Sequence, residues 1–107
     1  MSERSLRAVV AARPLVGEPD ARKSLLRDTA LDLGRRWFAS WRADLLREGR
    51  VVEGGFPGRL AEARALVAAS MGPAFAKKRF AAVTDEELGW AVHATYDEAK
   101  RAWLTSR

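Results

Sequence analysis

The chain has 107 residues, no cysteine, and 19 lysines and arginines against 14 aspartates and glutamates, for a net charge of +5. A chain of that length suits one domain, long enough to bury roughly two thirds of its unfolded surface without disulfide or metal staples. The lack of cysteine excludes thiol catalysis, disulfides and cysteine-ligated zinc or iron–sulfur sites, and it favours an intracellular setting.

Arginine outnumbers lysine 15 to 4 beside abundant alanine, leucine and glycine, a bias that fits a GC-rich bacterial coding sequence as well as it fits phosphate binding. The charge is uneven along the chain. Residues 1–83 hold 16 basic and 9 acidic side chains, residues 84–107 hold 3 and 5. That split would also suit head-to-tail self-association. No apolar run reaches the roughly 20 residues of a membrane span, and the AVVAA patch near the start is too short for a signal peptide. The expectation is a soluble, cytoplasmic protein without a membrane partner.

In residues 1–20, Leu6, Val9 and Val10 fit the inner face of a short helix over about 3–12 or part of an extended segment, since periodicity cannot arbitrate so short a run; the helix is the expectation. Pro14 and Pro19 are expected to stop any helix there, with residues 16–20 as a turn and Asp20 as the N-cap of the next helix. The longest helical pattern is Ala21 to Gly49, where Leu26, Ala30, Leu33, Trp37 and Trp41 form one stripe, flanked by Leu31, Phe38 and Leu45. This stripe faces a core. Gly34 interrupts the pattern at a cost of about 1 kcal/mol relative to alanine, which suggests a close helix crossing at that point. On the outer face Asp28, Asp32, Arg35 and Arg36 alternate in sign.

The segment from Arg50 to Gly58 reads as a loop. Its Gly54-Gly55 pair lacks the lysine and Ser/Thr of a phosphate loop, and Phe56 is expected to plug the edge of the core. A second helix is expected from about Pro57 to Met71, burying Leu60, Ala63, Val67 and Met71, with Gly72-Pro73 as its stop. A third, over about 74–82, would anchor itself by Phe75 and Phe80 and point Lys77, Lys78 and Arg79 outward. The last, over 84–106, opens with the capping box Thr84-Asp85-Glu86-Glu87, which Val83 and Leu88 can staple. Its inner face takes Leu88, Ala91, Val92, Thr95, Tyr96, Ala99, Ala102 and Trp103. The sum is an all-α bundle of four to five helices framed by two long ones, about 21–49 and 84–106.

No enzyme signature emerges. His93 is the single histidine and has no local partner for a triad, and the carboxylates Asp28/Asp32 and Glu86/Glu87 already serve helix faces and a cap. We expect no metal and no cofactor. Ala68 and Gly72 have the spacing of a helix-turn-helix, and Lys77, Lys78 and Arg79 follow as a recognition helix would. Pro73 and Lys78, however, fit that motif poorly. Trp90 is the aromatic residue out of phase: it lies about 160° from Leu88, beside Ala94, Asp97, Arg101 and Leu104 in projection. Tryptophan with arginine commonly forms the energetic centre of a protein interface. Either a short helix or the N-terminal segment, whose Leu6, Val9, Val10, Leu15 and Val16 are otherwise unplaced, covers Trp90 inside the monomer, or a partner does. The second is the leading functional expectation: a non-catalytic interaction module that binds a protein partner or a second copy of itself, a homodimer, through this face. A small basic nucleic-acid-binding regulator using Lys77, Lys78 and Arg79 is the alternative.

Overall fold

The computed structural model of the chain describes residues 13–107, with side chains from Pro19 onward. Three helices follow one another: α1 (Arg13–Arg47), α2 (Leu60–Lys77) and α3 (Asp85–Ser106). Among the described residues there is no strand, and the all-α expectation holds, with three helices over the stretch where four were expected. The helix expected over about 3–12 lies outside the described residues.

Two expected breaks are absent, and both contain proline. Helix α1 runs through Pro19 instead of starting at a cap on Asp20, and no turn forms over residues 16–20. Helix α2 runs through Gly72-Pro73, so the second and third expected helices are one. An internal proline costs a helix about 3 kcal/mol, through one lost N–H and a clash with the carbonyl four residues back. In α2 the return is visible in the packing. Continuing past Pro73 places Phe75 on the stripe of Ala63, Val67 and Met71, all four at 1% exposure or less. Burying a phenylalanine stabilises by about 1.5–3 kcal/mol. Two further contacts add to this: Phe75 meets Phe80 edge-on at 6.0 Å and lies under the Arg22 guanidinium at 4.6 Å.

The start of α2 also differs from expectation. Pro57 and Gly58 precede the helix, and Leu60, expected in the core, is 39% exposed. The first turn is held by the Glu62 carboxylate, which accepts from the Arg59 backbone N–H at 3.0 Å.

Helices α1 and α3 run parallel, as shown by the pairs Arg22–Glu87, Arg35–Glu98 and Phe38–Trp103 in step along both. Helix α2 returns between them, with Phe75 near Arg22 and the residues before its start near Trp37. The core comprises Ala30, Leu33 and Trp37 of α1, the α2 stripe, and Ala91, Val92 and Ala99 of α3. Trp41 and Leu26 flank it, half-buried, as the α1 stripe requires.

Helices α1 and α3 cross closely at Gly34. A Cβ there would lie 2.6 Å from the Thr95 carbonyl oxygen and 2.8 Å from the Glu98 Cβ, so only glycine permits this approach. The approach also brings the buried Thr95 hydroxyl to the Ala30 carbonyl, which accepts its proton at 3.0 Å. Thus the residue that weakens α1 as a helix lets α3 dock on it.

The loop between α1 and α2 is tied down by one ring. Phe56 meets Trp37 at 5.0 Å, Trp103 at 5.7 Å and Tyr96 at 6.2 Å, each edge-on, as aromatic quadrupoles favour. Gly58 then passes so close to Trp37 and Phe56 that a Cβ would stand 2.5 Å from each ring. The Trp103 indole N–H and the Arg107 guanidinium both donate to the Gly54 carbonyl, at 2.9 and 2.8 Å.

Candidate protein-interaction face

The five residues singled out on α3 share one side of the helix and differ in what they meet. Trp90 is 48% exposed and Leu104 46% exposed. Ala94 is half-buried against the core, Asp97 is exposed, and Arg101 is exposed but bound to its own helix. Trp90 and Leu104 stand fourteen residues apart, about 21 Å along the axis, with Asp97 and the paired Arg101 between them. The structure therefore places two separate apolar points on this face.

Trp90 has neighbours that the sequence did not reveal. Together with Lys23, Leu26 and Arg27 of α1 it lines a shallow recess on the α1/α3 seam. Leu26 extends the apolar surface of the indole, and two cationic side chains edge it. Arg27 also reaches Asp28 at 3.3 Å, with both side chains well exposed, a pairing of the weak surface kind.

Two ion-pair sites fix the seam on which Trp90 sits. At one end the Arg22 guanidinium grips Glu87 through two 2.7 Å bonds and donates to the carbonyls of Ala81 and Ala82 at 2.8 and 2.9 Å. The Arg22 bonds hold the Glu87 carboxyl at about 2, well below its ordinary 4.5, and the Thr84 backbone N–H helps. At the other end Glu98, only 7% exposed, receives Arg101 at 2.8 and 2.9 Å and Arg35 at 2.9 Å. The two Arg101 bonds first, then the single Arg35 bond, outweigh the desolvation that burial imposes and hold Glu98 at about 2. Sequence reading passes over Glu98 because a glutamate at that position looks like any surface residue. The available signal is its phase, between Thr95 and Ala99 on the inner edge of α3.

Lys77, Lys78 and Arg79 are all exposed, and among the described residues none of them forms an ion pair. They close α2 rather than open a recognition helix. The helix-turn-helix spacing of Ala68 and Gly72 falls inside one continuous α-helix, so that motif is absent. Arg79 itself adopts φ +61°, a left-handed conformation that glycine ordinarily takes. Its N–H donates to the Ala76 carbonyl at 2.9 Å, and the Phe80 N–H to the Phe75 carbonyl at 3.0 Å. With the Phe75–Phe80 ring contact these bonds complete a Schellman motif.

His93 is exposed, and no group of three or more His, Asp or Glu side chains able to hold a metal occurs among the described residues. No helix of the described residues is long and apolar enough to cross a membrane. No protein-family model matches the chain, nor does any curated protein or solved structure show significant similarity to it.

Proposed function

We propose that this chain is a non-catalytic helical interaction module that docks a protein partner, or a second copy of itself, on the α1/α3 seam at Trp90. The observation that carries the reading is an indole left about half exposed, widened by Leu26 and edged by Lys23 and Arg27. A tryptophan spans roughly 250 Å² of surface, so covering the exposed half would contribute about 3 kcal/mol at 25 cal/mol per Å². That is the size of an interface hot spot, and tryptophan beside arginine is the composition such spots favour. The two ion-pair sites support it by holding the seam rigid, which lowers the entropy cost of docking.

Size-exclusion chromatography with light scattering on the wild type and Trp90→Ala tests self-association. Co-purification from the native host with mass spectrometry tests a foreign partner. A dimer or a stoichiometric partner, lost in a Trp90→Ala variant that keeps its helical circular dichroism, is the expected result. A monomer in both cases with the variant strongly destabilised makes Trp90 part of the monomer's own packing and ends the proposal.

A second reading, a small basic nucleic-acid-binding regulator, draws on the exposed cations Lys77, Lys78 and Arg79. Phosphate contacts of this kind give salt-dependent affinity through counterion release. Filter binding at low and moderate salt, repeated with all three changed to alanine, decides it. Unchanged affinity in the triple variant removes the patch from consideration.

A further inference from the structure

At the end of the bundle away from Trp90, the last turns of α1, the loop after it and the final residues of the chain enclose an open recess. Its walls include Leu46 and Val51, 61% and 67% exposed, above a floor formed by the buried Leu45. Around them stand the guanidiniums of Arg42, Arg50 and Arg107, and no aspartate or glutamate side chain is among the lining residues. Glu48 engages Arg50 at 2.9 Å with both side chains more than half exposed, and Glu53 lines a neighbouring recess with Arg50 and Val51. Arg107 donates to a carbonyl and not to a carboxylate, and Arg42 has no ion pair among the described residues.

The recess has a fixed frame. Gly49, at φ +70°, turns the chain out of α1, with its N–H on the Leu46 carbonyl at 3.1 Å and the Arg50 N–H on the Leu45 carbonyl at 2.8 Å. The Gly54 carbonyl anchors Arg107 and Trp103 from the other side. Leu46 and Val51 are therefore held out by the backbone rather than left over at a frayed end.

We propose that this recess is a second docking site and that its occupant is an acidic amphipathic segment of a partner protein, with aliphatic side chains seated on Leu46 and Val51 and carboxylates meeting Arg42 and Arg107. Charge complementarity selects this occupant. Arginine forks bind carboxylates in bidentate fashion, and a basic or neutral segment would leave the Arg42 and Arg107 charges unopposed at the contact. The site is independent of the Trp90 seam: Leu26 and Leu46 are twenty residues apart on one helix, about 30 Å.

The test is fluorescence anisotropy with the full chain and a labelled helical peptide that carries glutamate and leucine on opposite faces. The same peptide with lysine in place of glutamate is the control. Saturable binding of the acidic peptide is expected, weakening as salt rises. Arg42→Glu and Val51→Ser, both at exposed positions, should each lower the affinity at least tenfold with unchanged circular dichroism, and Trp90→Ala should leave it unchanged. No binding, equal binding of the lysine peptide, or full affinity in both recess variants overturns the proposal. So does sedimentation with phosphatidylglycerol vesicles where the acidic peptide fails to bind, because the recess would then serve a lipid surface. Loss of peptide binding in Trp90→Ala alone would place the peptide on the seam and overturn it equally.

Discussion

Gly34→Ala isolates the contact on which the α1/α3 packing depends. In an open helix the change would stabilise by about 1 kcal/mol, because alanine is the better helix former. Here the new methyl would stand 2.6 Å from the Thr95 carbonyl oxygen, against an ordinary C···O contact of about 3.3 Å. The atom in the way is backbone, so α3 must retreat as a unit by several tenths of an ångström. Overpacking of this kind costs about 1–3 kcal/mol. Retreat also stretches the buried Thr95–Ala30 hydrogen bond, worth about 1 kcal/mol. The net is a destabilisation of about 2 kcal/mol, or roughly 10 °C in Tm for a domain of this size. Gly89→Ala is the internal control, since Gly89 lies in α3 with nothing within 4 Å of its would-be Cβ and should gain about 1 kcal/mol. Thermal and urea unfolding of both variants checks the pair. An unchanged or higher Tm for Gly34→Ala would refute the close crossing.

Arg79→Gly should stabilise by about 1 kcal/mol in urea titrations, because φ +61° strains any residue with a Cβ. Thr84→Ala removes the hydroxyl that accepts the Glu87 N–H at 3.1 Å and should lower stability by about 1 kcal/mol. Phe56→Ala should cost about 2–3 kcal/mol and shift tryptophan emission, since the ring touches both Trp37 and Trp103. Glu87 and Glu98 titrate near 2 when folded and near 4.5 when unfolded, so between those values the unfolded chain binds more protons. Their stabilisation is complete above about pH 4.5 and is lost as pH falls toward 2; melts at pH 6 and 3 should show Tm falling, less steeply in Glu98→Gln.

The features legible in the sequence are those set by local rules. The Thr84 capping box, the α1 stripe through Trp37, the inner face of α3 and the close approach at Gly34 each come from spacing or a single residue's conformational cost, and the structure contains all four. The missed features are decided at a distance. Pro73 reads as a stop until Phe75 is seen packed against Phe80 and Arg22, and Glu98 reads as solvated until Arg35, sixty-three residues earlier, is placed beside it. Phe56 sits at the core edge as expected, but no periodicity could name Trp37, Tyr96 and Trp103 as its partners.

The same distinction bears on the candidate site. Helical phase alone separates Trp90 from Trp37, Trp41 and Trp103, and the exposures agree: Trp90 is 48% exposed, Trp37 and Trp103 9% and 2%. Phase could not say what stands beside the exposed ring. Once Lys23, Leu26 and Arg27 are placed there, the face becomes a feature of two helices, and Leu104 drops out of it because Asp97 and the Arg101–Glu98 pair intervene. Substitutions should therefore separate the two: Leu26→Ser should weaken partner binding at Trp90, whereas Leu104→Ser should not. Equal effects in a light-scattering or pull-down assay would restore the longer, single-helix face.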